Sequence, residues 1–541
     1  MGYTKIKMPI DITKKSRFCM VSLSNPFNLG ARHLNAILKD EGYDSHMVFL
    51  GDIIVNDLIR PTPDEIDTAV NLIINEIQPD VVGISVSCSA FYKDAVTLTA
   101  KLRERNPKLI IMWGGIHVFL RPQDCIDYAD LCFTGEAEIQ LVEAMKAIEE
   151  TGKIPTNLPG TWARVDGQVY KNPYGRIIED LDTIPYPDYD NERKYVIRGN
   201  QILRHEPFYP QVYSLFVISS SGCPFNCTFC ASAKFSKEYQ SGDRPGRYIR
   251  QRSVGNVIGE IQYICDSLPV FRSAKDATVN FGDDVFVLNE KWVAEFCRQY
   301  KERFDKPFWC YFHPNTVKEN IVLMLKDVGM TYVDMGVQSA SERVRTQLYR
   351  RSDTDEKIHR AFQILRKNNI GITIDIITDN PFDTEDDRRK GLEFLLSLPR
   401  PFLVNYLSLI LFPEVEFTKM VLDAGLKKEE DIEQHSLKIF EQWQTKFDWP
   451  KRPKDELFWI ALYHMTGKTF VPRWWIRLLS RIKYFERNPG FVVWNATCAA
   501  KFTWFLKRMR IFFRRLFRGQ IRIKDIIYSF RKYRKLGVPM E

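Results

Sequence analysis

The sequence predicts an α/β chain in three parts. These are an N-terminal doubly wound, Rossmann-like domain over residues 1–150, a partial (β/α)6 barrel over residues 211–415, and a C-terminal α-helical region over residues 416–541. Residues 151–210 are read as a linker. Three observations predict this division. Short β-branched runs alternate with amphipathic helical stretches twice along the chain, the pattern of parallel sheets crossed over by helices. A stretch of Gly, Pro and Asp punctuation, ending in Ile184-Pro185-Tyr186-Pro187-Asp188-Tyr189, separates the two series. Beyond residue 415 the strands stop and helical spacing takes over.

In the first series, Phe18–Ser24 is an apolar run closed by the turn signal Asn25-Pro26. Ala31–Glu41 has helical spacing, and His46–Leu50 reads as a strand. Asp64–Glu76 places Ile66, Ala69, Val70 and Ile73 on one helical face. Val81–Val86 is a strand buried on both faces. A helix over Ala90–Arg105 precedes the strand Leu109–Trp113, and Leu131–Thr134 is a last short strand before a helix through Ile148. Ligands of such sheets bind beyond the carboxyl ends of the strands, here Asn25-Pro26, Ser85–Ser87, Gly114–His117 and Gly135-Glu136. In the second series the strands are Ser214–Ser219, Ala277–Phe281, Pro307–Phe312, Tyr332–Val337, Gly371–Ile377 and Phe402–Leu411. Six βα units make a barrel or part of one, with its chemistry at the carboxyl ends of the strands.

The eleven cysteines are an odd, scattered set in a chain of 541 residues, so no disulfide framework is expected and a reducing compartment is inferred. The polar stretch Met1–Arg17 lacks a signal-peptide core, and no run of about 18 apolar residues predicts a membrane span. The expected location is cytoplasmic. The net charge of +9 is uneven: Val471–Glu541 carries eighteen Lys+Arg against three Asp+Glu, +15, which leaves −6 for the remainder. That balance argues against nucleic-acid binding by the body of the protein.

The strongest chemical signal is Ser220-Ser221-Gly222-Cys223-Pro224-Phe225-Asn226-Cys227-Thr228-Phe229-Cys230. Three cysteines spaced C-x3-C-x2-C follow a strand end. Iron–sulfur clusters are held by thiolates, usually four, so three leave one iron open. A structural zinc site wants four protein ligands, and no fourth Cys or His lies nearby in sequence. The bland alternative is three core cysteines that happen to lie close together.

The motif resembles the radical S-adenosylmethionine (SAM) signature, CxxxCxΦC, with Phe229 as its aromatic residue. The resemblance implies that Cys223, Cys227 and Cys230 hold a 4Fe–4S cluster, that the open iron chelates SAM, and that reductive cleavage gives a 5′-deoxyadenosyl radical. It also implies a small electron donor such as flavodoxin or ferredoxin. Phe281-Gly282-Asp283-Asp284 resembles the segment that holds the methionine amino group; the family's Gly-Gly-Glu is absent, and Asp283 or Asp284 would serve as acceptor. Gly336-Val337-Gln338-Ser339 resembles the segment at the SAM ribose or carboxylate, with Gln338 as the contact. Asp379-Asn380-Pro381-Phe382-Asp383-Thr384-Glu385 resembles the segment near the adenine, through Asn380. Each of these polar residues would equally serve as an ordinary helix cap.

An α/β domain ahead of this barrel resembles the cobalamin-binding radical SAM family, over roughly residues 16–415. The carrying residues are Val82-Gly83-Ile84-Ser85-Val86-Ser87, Trp113-Gly114-Gly115-Ile116-His117 and Gly135-Glu136-Ala137-Glu138. The resemblance implies a corrin over the strand ends, with Gly114, Gly115, Gly135 and Glu136 near it and Ser85 and Ser87 bonded to its nucleotide tail. Asp44-Ser45-His46 begins like the cobalt-ligating D-x-H-x-x-G but lacks the Gly and leads into a strand. His117 is better placed, yet no protein axial ligand is assumed. A Rossmann-like domain without a cofactor is the plain alternative.

In residues 472–518, Arg and Lys interleave with aromatic and aliphatic residues at helical spacing. Such helices lie in membrane interfaces; a helical cap on the barrel is the equal alternative, and nucleic-acid binding is a weaker third. The combined expectation is a radical SAM enzyme that methylates an unactivated carbon of an apolar or lipid-like small molecule, peripheral on the inner face of a membrane where the tail binds. Cyclisation or oxidation without methyl transfer, and a non-catalytic corrinoid or Fe–S binding protein, stay open. Tyr311, His313 and Tyr406 are substrate-contact candidates from their strand-end positions alone.

Overall fold

The computed structural model describes residues 15–23, 28–50, 52–54, 57–190, 192–204, 214–240, 248–268, 271–272, 277–432 and 453–517. The turn Asn25-Pro26 lies outside them. The described residues fall into two compact units, one within Met1–Gly391 and Asn405–Lys446, the other within Leu392–Val404 and Phe447–Glu541.

The first unit holds two sheets. At the centre of the nine-stranded sheet, five parallel strands stand in the order Asp44–Phe49, Arg17–Ser22, Val81–Ser85, Ile110–Gly114, Leu131–Phe133. Period-two alternation sends Cys19 and Val21 to one face and Phe18 and Met20 to the other, and each face is buried under its own helices. Ile66, Ala69, Ile73, Leu98 and Leu102 cover the first face. Leu38, Leu141, Ala144 and Met145 cover the second. Because the chain leaves Arg17–Ser22 in one direction and resumes at Val81–Ser85 on its other side, a crevice opens at the carboxyl ends of these two strands.

The linker expected over residues 151–210 is corrected by the structure: it builds both edges of this sheet. Thr161–Val165 and Gln168–Lys171 form a hairpin beside Leu131–Phe133, and Lys194–Arg198 with Gln201–Arg204 forms another beside Asp44–Phe49. The first hairpin turns at Asp166-Gly167, both at positive φ, a turn whose twist suits paired strands.

The second sheet has six strands in sequence order: Ser214–Val217, Thr278–Phe281, Phe308–Phe312, Met330–Gln338, Gly371–Thr378 and Leu403–Ser408. The first five run parallel. Val279, Phe281, Phe308, Cys310, Val333 and Met335 face the helices and are buried. The opposite face carries Phe216, Trp309, Tyr311, Tyr332, Asp334, Thr373 and Asp375.

The boundary expected at residue 415 is also corrected. The helix Glu416–Asp423 belongs to the barrel unit. Its Phe417 and Val421 join Val344, Tyr349 and Ile377 in one core, and the Phe417 amide donates to Thr228 O at 2.9 Å. The second unit contains the helices Lys454–Thr466, Arg473–Arg481, Lys483–Arg487 and Gly490–Phe517. Lys454–Thr466 is apolar and buried nearly all round. Arg473–Arg481 is anchored by Arg477, which reaches Glu393 at 2.7 Å, and by Arg473, which donates to Leu398 O at 3.1 Å. Trp474, Tyr484 and Trp494 are 64%, 67% and 61% exposed. No helix among the described residues is long and apolar enough to cross a membrane.

Candidate active site

At the crevice of the first sheet lies a cavity of about 310 Å³ lined by Ser85, Ser87, Gly114, Gly115, Gly135 and Glu136, so all six N-terminal residues singled out from the sequence come together there. Gly115 has φ +107°, and a Cβ there would sit 2.6 Å from Val86 O, so only glycine lets the chain turn so close to the neighbouring strand end. Asn28 caps the helix Leu29–Asp40 and also donates to Ser22 Oγ at 3.0 Å and Ser85 Oγ at 3.3 Å. Glu138, quoted with Gly135 and Glu136 in the sequence but given no role there, also lines the cavity. Its Oε2 is buried without a hydrogen-bond partner among the described residues, and burial, aided by Glu136, pushes its carboxyl up to about 7. Such a carboxyl and the cavity's glycine floor fit an amide-fringed macrocycle such as a corrin. His117 does not line the cavity. It is buried against Tyr92, with Nδ1 2.9 Å from Ser89 Oγ, and burial pushes it down to about 4.

The cysteine loop runs from the short strand Ser220–Ser221 to the helix Ala231–Gln240. Gly222, at φ +91°, opens it, because a Cβ there would meet Tyr248 O at 2.7 Å. Cys227 is buried, while Cys223 and Cys230 are half-buried. Arg351 donates to Cys227 Sγ at 3.5 Å, to Gly336 O at 2.5 Å and to Asp353 at 3.0 Å. Burial pushes all three thiols up, Cys223 to about 12, with Arg351 opposing it at Cys227. Among the described residues no three His, Cys, Asp or Glu side chains converge on a single ion. A four-iron cluster takes each thiolate on a different iron, so its ligands need not meet at a point, and three cysteines on one short loop suit it better than zinc. Phe229 packs its ring on the Tyr349 edge at 4.7 Å, and Phe225 stacks on His313 at 3.7 Å.

The two aspartates after the second strand separate in role. Asp283 is buried; its Oδ1 accepts from the Ser219 amide (2.9 Å), Ser219 Oγ (2.8 Å) and Ser220 Oγ (2.6 Å). It therefore ties down the strand that leads into the cysteine loop. Asp284 is exposed beside the loop and accepts from Ser232 Oγ at 3.3 Å, which makes it the freer acceptor for an ammonium. Gln338 ends its strand at φ +70°, beside a register shift, and Asp379 directly follows the next at φ +62°. Left-handed non-glycine residues cluster at functional sites. Asn380 is buried and bonds within its own turn, to Asp383 and the Phe382 amide, both at 3.0 Å.

One side chain joins cavity and loop. The Arg250 guanidinium, 3% exposed, pairs with Glu136 (Nη1 to Oε2 2.9 Å) and donates to Ser221 Oγ at 2.9 Å and Ile178 O at 2.6 Å. Ser221 lies two residues before Cys223, a span of at most about 7 Å of chain. Sequence spacing carries no sign of this arginine, since its partners lie 114 and 29 residues away.

Inside the barrel, Asp334 and Asp375 sit on adjacent strands. Asn405 Nδ2 lies 3.4 Å from Asp334 Oδ2 and 3.1 Å from Asp375 Oδ1. Burial, and for Asp334 also repulsion from Asp375, holds both carboxyls well above the ordinary range. An acidic residue inside each apolar strand run was a legible signal that the sequence reading passed over.

This arrangement links a crevice at the strand ends of one sheet, through Arg250, to a three-cysteine loop after the first strand of the other. Residues 217–395 match the model of the radical SAM superfamily, and residues 20–145 match that of the B12 binding domain. The chain is 28% identical over 354 residues to an uncharacterized methyltransferase, PH0819, of Pyrococcus horikoshii, covering 64% of this chain and 67% of that one. It is 25% identical over 415 residues to the anaerobic magnesium-protoporphyrin IX monomethyl ester cyclase of Rubrivivax gelatinosus, covering 73% and 66%. The chain thus spans about two thirds of the length of these two relatives. The structure of TsrM, a radical SAM methyltransferase from Kitasatospora setae with cobalamin and a [4Fe-4S] cluster bound, superposes with TM-score 0.60 at 15% identity, covering 90% of this chain and 100% of that one. At that identity the match shows the fold. The chain belongs to the cobalamin-binding radical SAM proteins. The two domains imply a 4Fe–4S cluster, SAM and cobalamin.

Two outcomes follow from this geometry. Glu136→Gln leaves the buried Arg250 without its counter-charge, so the unfolding free energy should fall by about 3–5 kcal/mol, read from urea titration of the full chain. The raised carboxyls of Asp334 and Asp375 favour the folded state most below about pH 4, where they are protonated in both states. Their contribution is lost as pH rises through about 6 for Asp375 and about 8 for Asp334. Asp334→Asn should therefore flatten the decline in thermal stability between pH 5 and pH 8, checked by calorimetry across that range; an unchanged slope would contradict the buried pair.

Proposed function

We propose that the chain is a cobalamin-dependent radical SAM methylase acting on an unactivated carbon of a small molecule with an apolar body. The observation that supports this reading is the Glu136–Arg250–Ser221 connection, which ties the crevice proposed for the corrin to the cysteine loop. Cys223, Cys227 and Cys230 are the proposed cluster ligands, with Arg351 orienting Cys227. When bound, the cofactors supply one-electron cleavage of SAM, hydrogen abstraction and a transferable methyl group. The chain's own residues bind and orient. Asp284 offers an acceptor to the methionine ammonium, and Gln338 lies at the barrel mouth for the rest of SAM. Ser85, Ser87, Gly114, Gly115, Gly135 and Glu136 would receive the corrin and its tail, and Asn380, which shapes its own turn, would lie on the adenine side of SAM. The aromatic barrel wall of Phe216, Trp309, Tyr311 and Tyr332 accepts an apolar body and limits water. The cyclase relative, matched over 73% of this chain, favours a second reading in which the same cofactors drive ring formation or oxidation.

The test incubates the reconstituted chain anaerobically with cobalamin, reductant, methyl-deuterated SAM and a host metabolite and lipid extract. The expected result is a product carrying the deuterated methyl group together with 5′-deoxyadenosine. An altered but unlabelled product would move the reading to cyclisation. Cys227→Ala should reduce 5′-deoxyadenosine to background; unchanged formation would overturn the ligand assignment.

The second unit supports peripheral membrane contact. Trp474, Leu478, Tyr484, Phe491, Trp494 and Phe505 are exposed among the basic residues of the tail, an interfacial pattern. Residues 518–541 lie outside the described part. Co-sedimentation with phosphatidylglycerol vesicles should exceed that with phosphatidylcholine vesicles and fall in a Trp474→Ser/Trp494→Ser variant; equal recovery from both would leave a helical cap as the role of these helices.

A further inference from the structure

The barrel face of the second sheet carries a polar site separate from the residues proposed above to hold the cofactors. Strand register fixes its composition. Tyr311, Asp334 and Thr373 stand abreast on three neighbouring strands, as do Trp309, Tyr332 and Gly371 one pleat earlier and Gly336 and Asp375 one pleat later. In a parallel ladder such partners share a face. Asn405 bridges the two carboxylates from the next strand.

Two buried groups on this face lack partners among the described residues. Thr373 is 2% exposed and its Oγ1 makes no hydrogen bond; Asp334 is 8% exposed and its Oδ1 makes none. Buried polar atoms are ordinarily satisfied, and two orphans side by side, next to a second carboxylate, mark a place built to receive a donor. Asn405 and Phe216 are exposed on the same face, so the site can be reached. No third carboxylate, thiol or imidazole converges here among the described residues. The site therefore lacks the six or more oxygen ligands that a hard divalent metal takes. It offers instead what an organic cation needs: carboxylates to neutralise it, a hydroxyl to accept its remaining proton, and ring faces beside it.

We propose that Asp334, Asp375 and Thr373 bind a protonated amine on the substrate, whose apolar body lies against Trp309, Tyr311 and Tyr332. This rests on the methylase reading for the site's place in a reaction and narrows its substrate class to amphiphilic amines. Asp334 and Asp375 are substrate-binding residues in this account and take no part in holding SAM. With both carboxyls held above their ordinary range, an arriving ammonium displaces a proton that the pair would otherwise retain.

The experiment is calorimetric titration of the reconstituted full-length chain, without reductant, at pH 7.5, with 2-phenylethylammonium and its neutral counterpart 2-phenylethanol. The ammonium should bind roughly tenfold or more tightly than the alcohol, with an enthalpy that varies with buffer as a proton is released. Asp375→Asn should remove the preference and the buffer dependence. Asn405→Asp, at an exposed position, should strengthen ammonium binding, a gain that misfolding does not imitate. Equal affinity for the two probes, or an unchanged preference in both variants, would overturn the proposal. No turnover is needed, so this result is independent of whether a methylated product is found.

Discussion

A buried guanidinium in a protein interior must be fully paired, and Arg250 meets that requirement by drawing on three separate stretches of chain. Its partners outside its own segment are a carboxylate on the rim of the first sheet's crevice, a carbonyl in the segment after residue 150, and a hydroxyl two residues before the first cysteine of the loop. Removing any of them leaves charge or dipole uncompensated where water cannot replace it. The pairing ties the crevice to the cysteine loop; in the proposed reaction between two large cofactors, misplacement by an ångström would be costly in rate. Gly135 reinforces it: a Cβ there would meet the Tyr239 hydroxyl at 2.2 Å, and that hydroxyl accepts the Glu136 amide at 3.2 Å.

The barrel works by division along each strand. Its helix-facing side is closed with aromatic packing: Phe281 lies 4.6 Å from Phe286, 5.3 Å from Phe296 and 5.6 Å from Phe308. Its inner side alternates rings with polar groups. At the carboxyl ends the backbone enters left-handed conformations at Gln338 and Asp379. A closely packed outer layer thus backs a chemically varied inner one, and the cysteine loop follows the first strand where Asp283 fastens it.

Both parallel sheets were legible in the sequence, because buried parallel strands are β-branched runs and their helices carry one apolar stripe. The cysteine loop was legible through spacing within one short segment, and the cavity rim through glycines at strand ends. The hairpins at the sheet edges were less so. Thr161–Val165 and Lys194–Arg198 lie among turn residues, and their pairing is decided by the exposed edges of a sheet formed elsewhere. The capping role of Glu416–Asp423 was hidden for the same reason, since Phe417 finds its core only when Tyr349 and Ile377 are in place. Arg250, Arg351 and Glu138 acquire meaning from partners far away in sequence. Asp283 and Asp284 looked equivalent as neighbours, and only the chain's course shows one turned inward onto Ser219 and the other left exposed.

If the crevice receives the corrin and the cysteine loop the cluster, as proposed, the two serve one reaction space. The most direct measurement is electron paramagnetic resonance of the full-length chain loaded with cob(II)alamin and a chemically reduced cluster. The account predicts that the cobalt signal is broadened or split by dipolar coupling to the cluster, and that the coupling vanishes when the cluster is oxidised to its diamagnetic state. A cobalt signal identical in both states, with both cofactors present at one per chain, would contradict it.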